Sequence, residues 1–85
     1  MIEHFFSENA WSDYLYWQEI DRKILIQINK LINEISQTPY SGIGKPELLK
    51  HILSGYWSRR ITDELSLDYK VDEKNIYIAQ CRLHY

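Results

Sequence analysis

Apolar residues recur along the first half of the chain at helical spacing. Ile24, Ile28, Leu31 and Ile35 follow one another at four, three and four residues, and Leu25 and Ile32 widen the stripe. That period predicts an amphipathic helix starting at Asp21, whose side chain suits a cap. Before it, Ala10, Tyr14 and Trp17 share one side of a second predicted helix, with Trp11 and Leu15 flanking. Ser7 suits its cap and Glu8 its first turn. The two helices form a hairpin joined near Ile20-Asp21, and Thr38-Pro39 stops the second. Ile2 to Phe6 is short, apolar and aromatic, and predicts a strand. Gln37 to Pro46 reads as a loop.

The second half changes period. Tyr56 to Ile61 alternates, with Trp57 and Ile61 on one face and Ser58 and Arg60 on the other. Leu65, Leu67, Tyr69 and Val71 form a period-two set opposed by Ser66, Asp68 and Lys70. Asp72 to Asn75 is a turn, and Ile76 to Cys81 a last strand. The fold class expected is α+β, in the order β-α-α-β-β-β: an antiparallel sheet with one face covered by the helical hairpin and the other left for polar residues.

Eighty-five residues make one small domain, residues 1–85, with one modest core. The chain is 45% hydrophobic, which suits a globular fold and not a disordered one. A single cysteine leaves no disulfide framework and no Cys/His metal cluster, and Cys81 reads as a small core hydrophobe. The first residues carry an acid and are too short for a signal peptide, and no apolar run reaches the roughly 20 residues of a membrane span. A cytoplasmic protein without membrane contact is expected.

Net charge is −2, with an uneven distribution. Residues 1–42 hold three cations and six acids; residues 43–85 hold seven and six. Within 45–60 stand Lys45, Lys50, Arg59 and Arg60 against Glu47 alone. A local basic patch of this kind binds phosphate at close range but steers polyanions poorly from a distance. Gly42-Ile43-Gly44-Lys45 lacks the hydroxyl residue that a phosphate loop needs after its lysine.

Two separated segments carry the candidate chemistry. Gly44-Lys45-Pro46-Glu47-Leu48-Leu49-Lys50-His51 supplies a carboxylate and cations, and leads into Ser54-Gly55-Tyr56-Trp57-Ser58-Arg59-Arg60-Ile61. Cys81-Arg82-Leu83-His84-Tyr85 ends the sequence on a histidine and a tyrosine, and reads as a working part. Cleavage of a phosphodiester through the 2′-hydroxyl needs a base, an acid and positive charge on the phosphate. Taken singly, each residue also has a plain structural reading: Glu47 as a surface acid, Arg59-Arg60 as edge-protecting charges, His84 as a solvated terminal histidine. On a strand only one of Arg59 and Arg60 can face a given site, and alternation selects Arg60.

In their order these segments resemble the YoeB-type toxins of the RelE superfamily, bacterial toxin–antitoxin ribonucleases. The resemblance runs over nearly the whole chain. It is carried by Trp11-Ser12-Asp13-Tyr14-Leu15-Tyr16-Trp17-Gln18, Ile28-Asn29-Lys30-Leu31-Ile32, Thr38-Pro39, the Gly42 to Arg60 segment through Ile61-Thr62, and the closing Cys81-Arg82-x-His84-Tyr85. It implies a ribosome-dependent mRNA endoribonuclease working without metal or other cofactor and leaving a 2′,3′-cyclic phosphate. By that resemblance Glu47 is the general base, His84 the general acid, and Arg60 the phosphate holder. Tyr85 orients or stacks on the substrate, and Lys50, Arg59 and Ser66 stand in the substrate-binding set. The implied partners are a YefM-type antitoxin, the ribosome with its mRNA, and a second copy in a homodimer.

One departure matters. The family reads Glu-His-Arg-Leu-Val-Tyr where this chain reads Glu64-Leu65-Ser66-Leu67-Asp68-Tyr69. Ser66 stands where an arginine is expected and Asp68 where an apolar residue is. Loss of one donor to a developing charge costs about 2.7–4 kcal/mol, or roughly 10²–10³ in rate. Attenuated cleavage is therefore expected. The alternative is a degenerate toxin that survives as an antitoxin-binding co-repressor module.

Overall fold

The computed structural model of the chain describes residues 3–50, 55–73 and 75–82. The helices fall where the periodicity places them. Helix α1 (Glu8–Ile20) starts on Ser7, whose hydroxyl accepts from the Ala10 N–H at 3.0 Å. The same hydroxyl donates to the Ala79 carbonyl at 2.7 Å, tying the helix start to the far end of the chain. Asp21 closes α1 through its backbone and opens α2 (Arg22–Gln37) through its carboxylate, so one residue makes the hairpin turn. Thr38 ends α2 ahead of Pro39.

The sheet contains strands β1 (Glu3–Phe6), β2 (Glu47–Leu48), β3 (Trp57–Arg60), β4 (Ser66–Val71) and β5 (Asn75–Gln80), in spatial order β1-β5-β4-β3-β2. The α+β class and the antiparallel meander stand as read. Two features add to them. β1 joins β5 in parallel, Phe5 opposite Tyr77, because the helical hairpin carries the chain across the sheet before it returns. Directly after the loop, Glu47 and Leu48 form the two-residue strand β2, which pairs antiparallel with β3.

The core lies between the hairpin and one sheet face. Leu25, Ile28, Leu31, Ile32 and Ile35 of α2 are buried with Leu67, Tyr69, Ile76 and Ile78. Ala10 and Trp17 of α1 complete it, while Trp11 and Leu15 remain largely exposed. Among the described residues no helix is long and apolar enough to cross a membrane.

Loop 38–46 is fastened from below by Arg59. Its side chain is fully buried and points into the helical side, the face that alternation gives to Trp57 and Ile61. Nε donates to the Tyr69 hydroxyl at 3.1 Å, Nη1 to Glu34 and the Ile43 carbonyl at 3.3 Å each, and Nη2 to the Ser41 carbonyl at 2.8 Å and to Thr38 O. The Tyr69 hydroxyl in turn donates to the Pro39 carbonyl at 2.7 Å. Burial pushes the Tyr69 hydroxyl above its usual pKa, against the opposing pull of the Arg59 guanidinium. Gly44 lies directly on β3: its carbonyl accepts from the Arg60 N–H at 2.6 Å, and a Cβ there would meet Arg59 Cβ and Arg60 O at 3.0 Å. Its φ of 82° also favours glycine.

Candidate functional site

Strand register sorts the polar residues of the sheet. Glu47 pairs with Ser58, Ser58 with Asp68, and Arg60 with Ser66. Residues opposite one another on an antiparallel ladder share a face. Leu67 and Tyr69 lie between these positions on β4 and face the helices. Glu47, Ser58, Arg60, Ser66 and Asp68 therefore occupy the face turned away from the hairpin. Glu47 and Arg60 are exposed there; Ser58, Ser66 and Asp68 are buried. Carboxylate and guanidinium are borne on adjacent strands, about one strand spacing and one two-residue repeat apart, close enough to engage one phosphodiester. Lys50 is exposed just past β2.

Arg59 does not belong to this set. All of its donors are spent on the loop, on Tyr69 and on Glu34 of α2, on the opposite side of the sheet, so it holds the structure and offers nothing to a substrate. This corrects its place among the substrate-binding candidates. His84 and Tyr85 lie outside the described residues, as does His51.

Ser66 and Asp68 come with a third residue that sequence reasoning passed over. A β-bulge sets Asp68 opposite Gln80 while Tyr69 stays opposite Ile78, leaving Ala79 as the extra residue. Simple alternation from Ile76 and Ile78 would turn Gln80 into the core; the bulge turns it to the polar face instead. Its amide donates to Asp68 Oδ2 at 2.8 Å and to the Ser66 carbonyl at 3.4 Å. Its side-chain oxygen accepts from the Arg82 N–H at 3.0 Å. Asp68 is thus engaged by Gln80, whereas Arg60 is exposed to solvent. A polar residue at an expected core position of the last strand is the signal that could have revealed the bulge.

The chain beyond β5 is held from both sides. The Cys81 N–H donates to Asp13 Oδ2 at 3.1 Å, and the Trp17 indole donates to the Cys81 carbonyl at 2.8 Å. The Arg82 guanidinium lies 3.8 Å from the centre of the Tyr16 ring, a close cation–π contact. Asp13, Tyr16 and Trp17 are one turn of α1, so this helix serves as the anchor for the segment that leads to His84.

Burial, and then the Asp13 carboxylate, push the Cys81 thiol up to about 12. The folded chain keeps a proton that the unfolded chain gives up above the ordinary value of 9.0. This contribution to stability is complete below pH 9 and is lost as pH rises toward 12, by up to about 1.4 kcal/mol per pH unit. We predict that Cys81→Ala removes this part of the decline in urea melts at pH 8, 9 and 10. Parallel declines in parent and variant would contradict it.

Comparison with known proteins decides the family. The family described as YoeB-like toxin of bacterial type II toxin-antitoxin system matches residues 6–85. Toxin YoeB of Escherichia coli (strain K12) is 57% identical over 79 residues, 93% of this chain and 94% of that protein. The chain belongs to the YoeB toxin family. The solved YoeB dimer from Staphylococcus aureus has a TM-score of 0.93 at 46% identity, covering 99% of this chain and 98% of that one. The heterotetrameric YoeB-YefM toxin-antitoxin complex from the same organism has a TM-score of 0.91 at 45% identity, covering 100% and 99%. The resemblance read from the sequence motifs is thereby confirmed. This YoeB-family chain is the toxin component of a type II toxin–antitoxin system.

Proposed function

We propose that this toxin is a ribosome-dependent mRNA endoribonuclease acting without a metal ion, its activity lowered by the Ser66/Asp68/Gln80 cluster. Glu47 takes the proton of the 2′-hydroxyl. The 2′-oxygen attacks the adjacent phosphorus, the bond to the 5′-oxygen breaks, and His84 protonates that oxygen as it leaves. The products are a 2′,3′-cyclic phosphate and a 5′-hydroxyl. Arg60 pairs with the phosphate oxygens through its planar fork, Lys50 adds charge nearby, and Tyr85 orients the substrate. The observation that supports the reading is the placement of Glu47 and Arg60 on one helix-free face.

The partners follow from the relatives. A YefM-type antitoxin is the binding partner, by analogy with the Staphylococcus aureus complex, and a homodimer by analogy with the dimer. The ribosome and its mRNA are the substrate complex, and the cytoplasm is the site of action.

A second reading has one observation in its favour. Asp68 is buried on the candidate face, next to the position where the family arginine is expected. A negative charge in that position would disfavour a phosphate nearby, as expected of a toxin retained for antitoxin binding and operon repression.

Primer extension on programmed ribosomes separates the two. The ribonuclease reading predicts cleavage by the parent chain that antitoxin suppresses. It also predicts that Ser66→Arg together with Asp68→Val and Gln80→Ala raises cleavage by about 10²–10³. All three changes are needed, because an arginine beside a retained Asp68 would be neutralised, and Gln80 without Asp68 would leave a buried amide short of an acceptor. His84→Ala added to the triple variant should abolish the gain. No cleavage by the parent or by the triple variant favours the binding module.

A further inference from the structure

The candidate face continues past Glu47 and Asp68 into a row of different chemistry. Phe5 is opposite Tyr77, Tyr77 is opposite Lys70, and Lys70 Nζ lies 5.9 Å from the centre of the Tyr56 ring. These four side chains cross β1, β5, β4 and the start of β3. Tyr56 and Lys70 are each two residues along the chain from Ser58 and Asp68, so the row runs about 7 Å from the line Glu47–Ser58–Asp68, and its Phe5–Tyr77 pair, three to four strands across, lies roughly 16–20 Å from Glu47. The Phe5 and Tyr77 rings are stacked, with centroids 5.4 Å apart and planes inclined by 17°. Phe5 is 44% exposed. The Tyr77 hydroxyl donates to Asp72 at 3.1 Å and accepts from Asn75 at 3.2 Å, which fixes the ring. A groove of about 260 Å³ is lined by Phe5, Tyr56, Tyr77 and Ala79.

We propose that this row is a base-stacking subsite for single-stranded RNA, holding a nucleotide a few positions along the strand from the scissile phosphate. It deepens the ribonuclease reading and rests on it. Exposed aromatic rings on a sheet face, beside a cation, are how single-stranded RNA is commonly bound: every base presents a π-face, and the lysine meets the phosphate. A cross-strand aromatic pair also stabilises a sheet edge, but edge support alone calls for neither Lys70 over Tyr56 nor the alignment of all four side chains on the candidate face. Continuity with Glu47 and Arg60 makes RNA the occupant, in preference to an apolar peptide.

The test reads binding and not cleavage. A labelled six-nucleotide RNA carrying 2′-O-methyl riboses, which cannot undergo 2′-attack, is titrated with the parent chain, with Phe5→Leu/Tyr77→Leu, and with Lys70→Gln. The leucine pair keeps apolar area but removes the rings; it should weaken binding about tenfold or more. Melting temperature is followed alongside, and Phe5→Trp should retain affinity. An abasic nucleotide at the stacked position should weaken binding to the parent and leave binding to the leucine pair unchanged. Lys70→Gln should reduce the dependence of log K on log salt by about 0.7. Unchanged affinity of the leucine pair, equal sensitivity of both proteins to the abasic position, or no binding of the strand by the parent would each overturn the proposal. A leucine pair that loses antitoxin binding or self-association while its RNA affinity holds would overturn it as well, assigning the row to a protein interface. Because the RNA cannot be cleaved, this result is independent of whether Glu47 acts as a base.

Discussion

Glu47→Gln should lower cleavage of mRNA on programmed ribosomes by about 10²–10⁴, the usual contribution of a positioned general base. The amide keeps the size and hydrogen-bonding outline of the carboxylate but cannot take the proton of the 2′-hydroxyl. Glu47 is exposed on a two-residue strand and holds no buried partner among the described residues, so the substitution should leave stability within about 0.5 kcal/mol of the parent. The loss should fall on kcat, because the carboxylate is needed for proton transfer more than for holding the strand. A variant that cleaves as fast as the parent would place the base elsewhere on the face.

Arg59→Met should destabilise the fold by about 3–5 kcal/mol, while Arg60→Met should change stability by no more than about 0.5 kcal/mol. The two arginines are adjacent in sequence and opposite in role. Removing the Arg59 guanidinium leaves the carbonyls of Thr38, Ser41 and Ile43 and the Tyr69 hydroxyl without their donor beneath loop 38–46. The Glu34 carboxylate also loses its ion pair, although it is partly open to water and recovers some hydration. Methionine fills much of the volume, so the loss measured is mainly one of polar satisfaction. Equilibrium urea unfolding of both variants checks the contrast, and equal effects would mean that Arg59 is not the fastener of the loop. Cleavage should respond in the opposite order at temperatures where both are folded, with Arg60→Met the more impaired.

The helical hairpin was legible because its signals are local. The α2 stripe has an unbroken 3.6-residue period, and Ser7 and Asp21 are capping residues in the places where caps are needed. The meander was legible from alternation. The parallel pairing of β1 with β5 was not, because it joins residues some seventy positions apart and no short-range pattern encodes it. The two-residue β2 is too short to carry a period of its own. Alternation had already assigned Arg59 to the Trp57 face; its charge type argued the other way, and packing decided. A buried arginine is tolerated there because carbonyls of an irregular loop need donors. The bulge at Ala79 had a trace in the sequence, since Gln80 falls where a core residue belongs.

The candidate site was legible as a set of residue types but not as a site. Glu47, Arg60 and Ser66 come from three strands, and only the register of β2, β3 and β4 brings them to one face. The Asp68–Gln80 pair was invisible for the same reason: each residue looks misplaced alone, and together they form a buried hydrogen bond across two strands. The anchoring of Cys81 by Asp13 and Trp17 spans more than sixty residues, and periodicity gives no hint of it.

The chemistry of the cut ends tests the central claim most directly. Ribosomes programmed with a defined mRNA are incubated with the parent toxin, and the termini of the cleaved message are analysed. Attack by the 2′-hydroxyl predicts a 5′-hydroxyl on the downstream fragment and a 2′,3′-cyclic phosphate on the upstream one. A 5′-phosphate paired with a 3′-hydroxyl would mean that water, not the ribose, is the nucleophile, and would contradict the roles of Glu47 as general base and His84 as general acid.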